Sequence, residues 1–154
     1  MAQKSIDIAI YGYSQVPDIE EALKDAISRN VSVRLVYDAD RNGENIYPDT
    51  NHLASLIGNS RSDKDSIESG SKMHNKFYIF DDKTVILGSA NLSQTDMSGF
   101  NSNSILVINS EKIAKIYKNE FEQMYKGKFH DDKDVIKNKN TSEFGDKLKI
   151  YFSP

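Results

Sequence analysis

The chain has 154 residues, a formal net charge of −3 at pH 7 and no cysteine. The absence of cysteine excludes disulfides, thiolate zinc sites and a cysteine nucleophile. A chain of this length can bury a core of its own and is expected to form one ordinary domain. It has no run of 18 apolar residues, and its N-terminus lacks the apolar core of a secretory signal. These features predict a soluble protein that is cytoplasmic by default.

A strand, a helix and a second strand are predicted in the first forty residues. Isoleucines alternate with small or polar residues over 6–10, which is the period of a β-strand. Apolar residues at helical spacing then predict a helix that Asp18 caps and that ends near Asn30. Apolar residues between Val31 and Tyr37 predict the second strand. Because the crossover is long enough for parallel pairing, an α/β layer architecture is expected.

The segment 38–72 reads as a long connection with one short helical candidate, 51–57. Such a loop is either a functional lid or rim, or a disordered excursion. Its first part resembles a calcium loop through five residues: Asp38, Asp40, Asn42, Gly43 and Asp49. A strand leads into it, however, Pro48 fills the eleventh place and Asp49 replaces the bidentate glutamate. We therefore prefer a turn at the end of a strand, and no metal site is predicted.

The second half of the chain predicts a hairpin, a strand and a helix. The short apolar strands Phe77–Phe80 and Thr84–Leu87 flank a tight turn. Another strand follows at Ile105–Ile108. Ser110 is the expected N-cap of a helix that runs to about Lys126, where a glycine stops it.

The end of the chain, 128–154, is predicted to be a polar loop, over about 128–144, followed by a strand. Leu148, Ile150 and Phe152 alternate with polar or aromatic residues, and the pattern resembles the opening strand. Two interpretations stay open. Either a second copy of the unit begins here, or an edge strand closes a small domain.

One motif carries most of the functional information. It consists of six residues at fixed spacing: His74, Lys76, Asp81, Gly88, Ser89 and Asn91. A six-residue match at fixed spacing arises by chance about once in tens of millions of positions, which is far more specific than a short motif. Side chains two apart on a strand share a face, so an imidazole and an ammonium lie side by side. Pairing across the predicted turn places Lys76 beside Gly88 or Ser89, and His74 beside Ala90 or Asn91.

These residue types suit attack on a phosphodiester. A neutral imidazole is a nucleophile near pH 7, and a phosphohistidine would divide one difficult displacement into two easier ones. Lys76 supplies positive charge, while Ser89, Asn91 and turn amides near Gly88 supply neutral donors for phosphate oxygens. Phosphoryl transfer depends mainly on positioning and charge stabilisation, so these groups suffice without a metal or other cofactor.

The same residues resemble the motif of the phospholipase D superfamily: HxK, four residues, Asp, six residues, then Gly-Ser-x-Asn. The resemblance covers roughly residues 4–127 and implies a phospholipase D-like α/β/α sandwich with a mixed central sheet, with 1–127 as the catalytic domain. It implies that His74 is the nucleophile and that Lys76 and Asn91 bind phosphate. Ser89 would be a supporting donor, and Asp81, a member of the same catalytic set, would act mainly structurally. Asn103 holds a position where many relatives carry a residue that orients the histidine, and it is predicted to contact substrate.

The family's site joins two such motifs, one histidine attacking and the other protonating the leaving oxygen, whereas this sequence has one. Either two chains pair as a homodimer, as in the small bacterial nucleases of the superfamily, or a second half is missing. The predicted function is a metal-independent phosphodiesterase, with nucleic acid as the favoured substrate. The alternative is a phospholipase D or transphosphatidylase, for which an apolar rim would be expected that the sequence does not reveal. A binding protein without turnover is disfavoured by the intact His74 and Lys76. The remaining histidines, His52 and His130, are interpreted as ordinary packed or exposed residues.

Overall fold

A computed structural model describes residues 1–14, 16–66, 71–135 and 148–153. Its central sheet consists of β1 (Ser5–Ile10), β3 (Ser32–Tyr37), β4 (Ser60–Ser62), β5 (Phe77–Phe80), β6 (Thr84–Gly88) and β8 (Ile105–Asn109). Two short strands, β2 (Tyr13–Ser14) and β7 (Leu92–Ser93), form a separate parallel pair. The helices are α1 (Pro17–Ser28), α2 (Thr50–Ile57), α3 (Gln94–Met97) and α4 (Glu111–Tyr125), and a 3-10 turn spans His130–Asp132.

The sheet is mixed, with the order β4-β3-β1-β5-β6-β8, and helices cover both of its faces. Successive residues of β1 point to opposite faces, and each face joins a different core cluster. The isoleucines of β1 pack against α1 and α2. Ala9 of the same strand packs on the other side, with α4. The predicted α/β/α sandwich is therefore confirmed.

The parallel pairing of the first two predicted strands is confirmed, since Ile8 lies opposite Leu35 in β1 and β3. β1 is buried on both faces after its first residue, including Asp7. The connection after β3 also contains β4, an edge strand parallel to β3, in addition to the predicted helix.

The predicted N-cap of the first helix is wrong. α1 begins at Pro17, Val16 occupies the cap position, and no side chain caps the helix. Proline suits the first helical position because its φ is already helical and it has no N–H group to satisfy. Asp18 lies one residue inside the helix, in the first turn, where its negative charge is favourable to the helix dipole.

Other predicted boundaries hold. The Ser110 side chain accepts a hydrogen bond from the Ile113 N–H and caps α4. The loop after β3 is a turn, as preferred, because the Asp40 carboxylate accepts the N–H groups of Asn42 and Glu44. Those bonds give Asp40 a local role within the turn.

The predicted C-terminal strand is wrong, since residues 148–153 belong to no strand. The alternation there instead reflects partial burial of Leu148, Ile150 and Phe152 against the core on the α4 side. The Phe152 ring packs edge-on against Tyr117, with 5.1 Å between centroids. Part of the predicted polar loop, 136–144, lies outside the described residues. Within the described part of the chain, no helix is long and apolar enough to span a membrane.

Candidate active site

The predicted register of the hairpin is confirmed and places five of the six motif residues at one end of the sheet. Phe77 pairs with Leu87, and the Gly88 N–H donates to the Lys76 carbonyl at 3.3 Å. At this end of the sheet, β5 begins, and both β1 and β6 end. His74 and Lys76 therefore lie just before β5, close to Gly88 at the end of β6.

The His74 imidazole is exposed to solvent at this edge. Its ring packs against Tyr11, with 4.7 Å between the two centroids and an angle of 66° between the planes. Partial burial, followed by the charges of Lys76 and Lys72, lowers the pKa of His74 below its ordinary value. The accessible side chain is therefore neutral at pH 7, which is the form that can act as a nucleophile.

The Lys76 side chain is buried, with 9% of the residue exposed. Its Nζ donates to the His74 carbonyl at 3.1 Å and lies 5.5 Å from the centroid of the Tyr11 ring. Burial lowers the pKa of Lys76, while the charges of Asp96 and Asp38 work in the opposite direction. The carbonyl, the ring and the carboxylates together hold an ammonium close to the His74 backbone.

Asp96 is a site residue that the sequence analysis missed. Its carboxylate accepts the Asn91 N–H at 2.7 Å and the Asn91 side-chain amide at 3.0 Å, and it accepts the Asn101 amide at 2.6 Å. Its backbone N–H donates to Ser93, the cap of α3. The spacing Ser-x-x-Asp, which is typical of a capped helix start, could have located this residue in the sequence.

These bonds fix the orientation of the Asn91 side chain, and its amide nitrogen and its oxygen differ in hydrogen bonding. The amide nitrogen is bound to Asp96, whereas the side-chain oxygen, Oδ1, is buried and has no hydrogen-bond partner among the described residues. A buried acceptor without a partner is costly and is therefore a feature to expect where a ligand binds. A ligand hydroxyl or a protonated phosphate oxygen could satisfy it.

Ser89 and Asn103 form a second small network at the same edge. The Ser89 hydroxyl donates to the Asn103 side-chain oxygen at 2.8 Å and accepts the Ser104 N–H at 3.1 Å. Burial tends to raise the pKa of Asp96, but bonds from asparagines, Asn103 among them, outweigh it and lower that pKa. Asn103 is thus bonded to Ser89 and Asp96, and its predicted action on His74 stays a prediction.

Gly88 is required by the close approach of the neighbouring strand. A Cβ atom at this position would collide with the Ser104 carbonyl oxygen and would lie 3.2 Å from the Ile105 Cα atom. The absence of a side chain lets β6 and β8 approach each other and brings Ser89 within reach of Asn103.

Asp81 is the one motif residue that the structure does not bring to this edge. It follows β5 at the opposite end of the hairpin, seven residues along the chain from His74. Its carboxylate accepts the backbone N–H groups of Gln3, Lys4 and Ser5 at 2.7–3.1 Å. These contacts fit the expectation that it acts mainly structurally.

Two aromatic residues and one lysine complete the surroundings of His74 and were also missed. Tyr11 contacts Tyr47 edge-on, with 6.0 Å between centroids, and the Lys72 Nζ lies 5.6 Å from the Tyr11 ring centroid. His52, in contrast, is an exposed residue beside Glu20. Among the residues that the structure describes, no group of three or more His, Cys, Asp or Glu side chains is arranged to hold a metal ion.

Comparison with known sequences identifies similar proteins over most of the chain. Residues 1–125 match the family model described as cardiolipin synthase, PLD-like domain. The mitochondrial cardiolipin hydrolase of Xenopus tropicalis is 31% identical over 127 residues, which is 80% of this chain and 56% of that protein. The corresponding protein of Xenopus laevis is 30% identical over 132 residues, with the same coverage. The chain spans about half the length of these curated relatives.

Comparison with solved structures gives matches of similar size to this chain. Nuc from Salmonella typhimurium, a phospholipase D family member, has a TM-score of 0.67 and 26% identity, covering 82% of this chain and 80% of that one. NucT from Helicobacter pylori has a TM-score of 0.66 and 27% identity, covering 82% and 81%.

Proposed function

Because the chain belongs to the phospholipase D superfamily, a group of phosphodiesterases, we propose that it hydrolyses phosphodiesters with His74 as nucleophile and nucleic acid as substrate. One observation carries this proposal. An exposed imidazole with a lowered pKa is followed two residues later by the buried Lys76, whose ammonium donates to the His74 carbonyl at 3.1 Å. A neutral nucleophile and a fixed positive charge are thereby offered to the same phosphate.

In the proposed reaction, a ring nitrogen of His74 attacks phosphorus and the bond to the leaving oxygen breaks. The leaving alkoxide takes a proton from a second, protonated imidazole. Water then attacks the phosphohistidine, the second imidazole accepts a proton from that water, and His74 is released with the phosphate monoester as product. Lys76 offsets the charge on the phosphate oxygens throughout both steps.

Asn91 and Ser89 are proposed to bind the phosphate and its substituents. The unpartnered Oδ1 atom of Asn91 can accept a ligand hydroxyl, and the backbone turn after Gly88 places Ser89 within the same edge. Asn103 is proposed to support this group through Ser89 and Asp96. Asp81 is proposed to hold the hairpin in register without contacting substrate.

The second imidazole is proposed to come from a second copy of the chain. β8 is an edge strand of the sheet, and Ile105, Leu106 and Val107 are 60%, 52% and 61% exposed. Ile105 pairs with Gly88, so this apolar strand begins at the site itself. A copy seated against β8 covers an edge that is otherwise open to aggregation, and it can bring its own His74 to the same phosphate.

A mixing experiment tests this arrangement. An excess of His74→Ala chain should lower wild-type activity below simple dilution, because mixed dimers lack one histidine. Val107→Asp, which places a charge in the exposed strand, should give an inactive monomer by sedimentation, and Lys112→Asp on the exposed start of α4 is the matched control. A fully active wild-type monomer would contradict the dimer, and an inactive wild-type monomer would instead indicate that a second half supplies the other motif.

Nucleic acid is proposed as substrate because the chain resembles the small single-motif nucleases of the superfamily. Nuc and NucT are matched over about four fifths of their length, and the cardiolipin hydrolases over about half. One observation favours a phospholipid as the second candidate. Phe100 is 86% exposed and Met97 is 40% exposed, and both follow Asp96 within four residues, so two apolar side chains are available at the surface to contact a lipid.

A substrate panel separates these candidates. Wild type and His74→Ala are assayed on single-stranded DNA, duplex DNA, RNA, phosphatidylcholine vesicles and cardiolipin vesicles. A nuclease cleaves a nucleic acid in a reaction that His74→Ala abolishes and leaves both vesicles intact. Cleavage of vesicles alone, with Phe100→Ser lowering it far more than hydrolysis of a soluble diester, would replace the nuclease by a phospholipase.

The reaction is proposed to need no metal, since Lys76 and its counterpart in the partner balance the phosphate charge. Excess EDTA should therefore leave the rate unchanged. Loss of activity in EDTA and its recovery with calcium or magnesium would contradict the histidine-only scheme. A cytoplasmic location also stays a prediction, and the cardiolipin hydrolases that match the chain are named as mitochondrial proteins.

A further inference from the structure

Two buried carboxylates contact the backbone of Met73, the residue that precedes His74. Asp38 follows β3 and Asp63 follows β4, and the two residues are 4% and 0% exposed. Neither belongs to the motif. Burying a carboxylate is expensive unless it is paired and hydrogen-bonded, so a buried pair calls for a role.

Both carboxylates converge on a single backbone N–H group, that of Met73. Asp38 Oδ1 accepts it at 2.9 Å and Asp63 Oδ2 at 3.2 Å. Asp63 also accepts the Ala39 N–H at 2.8 Å. The ends of two parallel strands are thereby joined to the backbone from which His74 projects.

The charged groups around the pair come from several segments. The Lys72 Nζ lies 3.9 Å from Asp38 Oδ2, and the His130 Nε2 atom lies 3.3 Å from Asp63 Oδ2. Lys76 also interacts electrostatically with Asp38. The pair thus faces two lysines that also act on His74, together with one further imidazole.

We propose that Asp38 and Asp63 are positioning residues that hold the Met73 backbone, and with it the His74 imidazole, in place for attack. This inference rests on the proposed function. The hold depends on protonation, because a hydrogen bond from an N–H group to an ionised carboxylate is stronger than one to a neutral acid. When Asp38 takes up a proton, its hydrogen bond from the Met73 N–H weakens.

The pH range of this effect follows from the environment of the pair. Burial, and then the charge of Asp63, raise the pKa of Asp38 to about 6, against the opposing effects of the Met73 N–H, Lys72 and His130. Burial also raises the pKa of Asp63. Asp38 therefore loses its charge as the pH falls through about 6, and positioning should fail over that range.

Two substitutions separate charge from hydrogen bonding. Asp38→Asn keeps an acceptor oxygen for the Met73 N–H and removes the charge, whereas Asp38→Ala removes both. Asp40→Asn, an exposed carboxylate two residues away, is the matched control. At pH 8 we expect kcat on a soluble diester to fall roughly 10-fold for Asp38→Asn and roughly 100-fold for Asp38→Ala, as for a small displacement of a reacting group. KM should change less than about twofold, because substrate contacts remain.

The decisive readout is the pH profile. The ratio of wild-type to Asp38→Asn kcat should approach one at pH 5 and rise to its full value above pH 7, because acid converts wild type to the neutral state that asparagine mimics. Independently of activity, the Met73 amide resonance in NMR should titrate with a midpoint near pH 6 in wild type. In Asp38→Asn that midpoint should be lost or moved to lower pH.

The outcomes distinguish the two proposals. A constant kcat ratio across pH 5–8, or wild-type kcat in both variants, overturns the positioning role. An Asp38→Ala chain that no longer folds, combined with an Asp38→Asn chain that equals wild type at every pH, also overturns it. If wild type hydrolyses no diester, the proposed function fails, and the Met73 titration still decides whether the pair holds this backbone.

Discussion

Replacing Asp81 should lower stability and leave the chemistry intact, although this residue is part of the motif. Its carboxylate binds three consecutive backbone N–H groups, those of Gln3, Lys4 and Ser5. The Asp81 N–H in turn donates to the Ser5 carbonyl at 2.9 Å. The hydrogen bonds of Asp81 therefore connect the start of β1 to the turn of the hairpin, at the end of the hairpin opposite His74.

The magnitude follows from these contacts. Hydrogen bonds to a charged group contribute about 1.5–3 kcal/mol each, and the partial exposure of this site places them at the low end of that range. Asp81 has a φ of 53°, a left-handed conformation that asparagine tolerates better than alanine. Asp81→Asn keeps one acceptor and this backbone preference, so we expect a loss of about 2 kcal/mol, or about 4–8 °C in melting temperature.

Asp82→Asn is the matched control for this prediction. Asp82 has the same φ of 53° and carries the same charge, but its contact is a surface ion pair with Lys118 at 2.8 Å. Exposed pairs contribute at most about 1 kcal/mol. Urea unfolding at pH 7 should therefore separate the two variants, while kcat below the unfolding transition stays near the wild-type value for both.

The pH dependence supplies a further check. Burial acts to raise the pKa of Asp81, but the N–H groups of Ser5, Gln3 and Lys4 outweigh it, and the pKa lies below its ordinary value. Its stabilisation is thus complete above the unfolded pKa of about 3.9 and is lost as pH falls through the folded value. Equal stability of the Asp81→Asn and Asp82→Asn variants would refute the hydrogen-bond argument. A folded Asp81→Asn chain with a hundredfold lower kcat would place Asp81 in the chemistry.

Two further predictions concern the site itself. Lys72→Ala should raise the pKa of His74, since Lys72 is one of the charges that lower it. The acid limb of the kcat/KM profile should therefore move to higher pH, with Lys112→Ala as the control. An unmoved limb would show that Lys72 does not act on His74. Gly88→Ala should force β6 away from the Ser104 carbonyl, with a loss of about 1–3 kcal/mol in urea unfolding and a fall in kcat. Wild-type stability for the Gly88→Ala variant would contradict the close approach of β8.

The elements that were predicted well are those with a strong period or a local signal. The hairpin could be placed because apolar strands flank a turn, and counting across that turn put Lys76 opposite Gly88 or Ser89; the structure has Gly88. α4 could be placed because a long apolar stripe follows a capping serine. In both cases neighbouring residues determine the structure, so the sequence contains the evidence.

The elements that were missed depend on distant parts of the chain. β4 consists of Ser60, Arg61 and Ser62, which show no apolar alternation, and it forms only because β3 offers an open edge. The alternation over 148–152 is genuine, but a period of two reports which side chains are buried and not whether the backbone pairs. Phe152 is buried by Tyr117, on a helix more than thirty residues earlier.

The same distinction applies to the site. The motif predicted His74 and Lys76 as site residues, whereas the contact of Asp38 and Asp63 with the Met73 N–H depends on three segments that are distant in the chain. The interpretation of His130 as an ordinary histidine is incomplete. His130 is a packed histidine as expected, with 14% of its side chain exposed, yet its partner is one of these two carboxylates.

The spacing of the motif residues follows from the lengths of the two strands and the turn of the hairpin on which they lie. His74 and Asp81 are seven positions apart in the chain, and β5 (Phe77–Phe80) lies between them. The aspartate therefore anchors one end of β5 to β1 while the histidine is presented at the other. Seven more residues return to Gly88, whose missing side chain admits β8. A shift of one residue in the turn would move every side chain to the opposite face. For this reason residues with no part in the chemistry are held at fixed distances from the nucleophile, and a match in spacing predicts both the fold and the site.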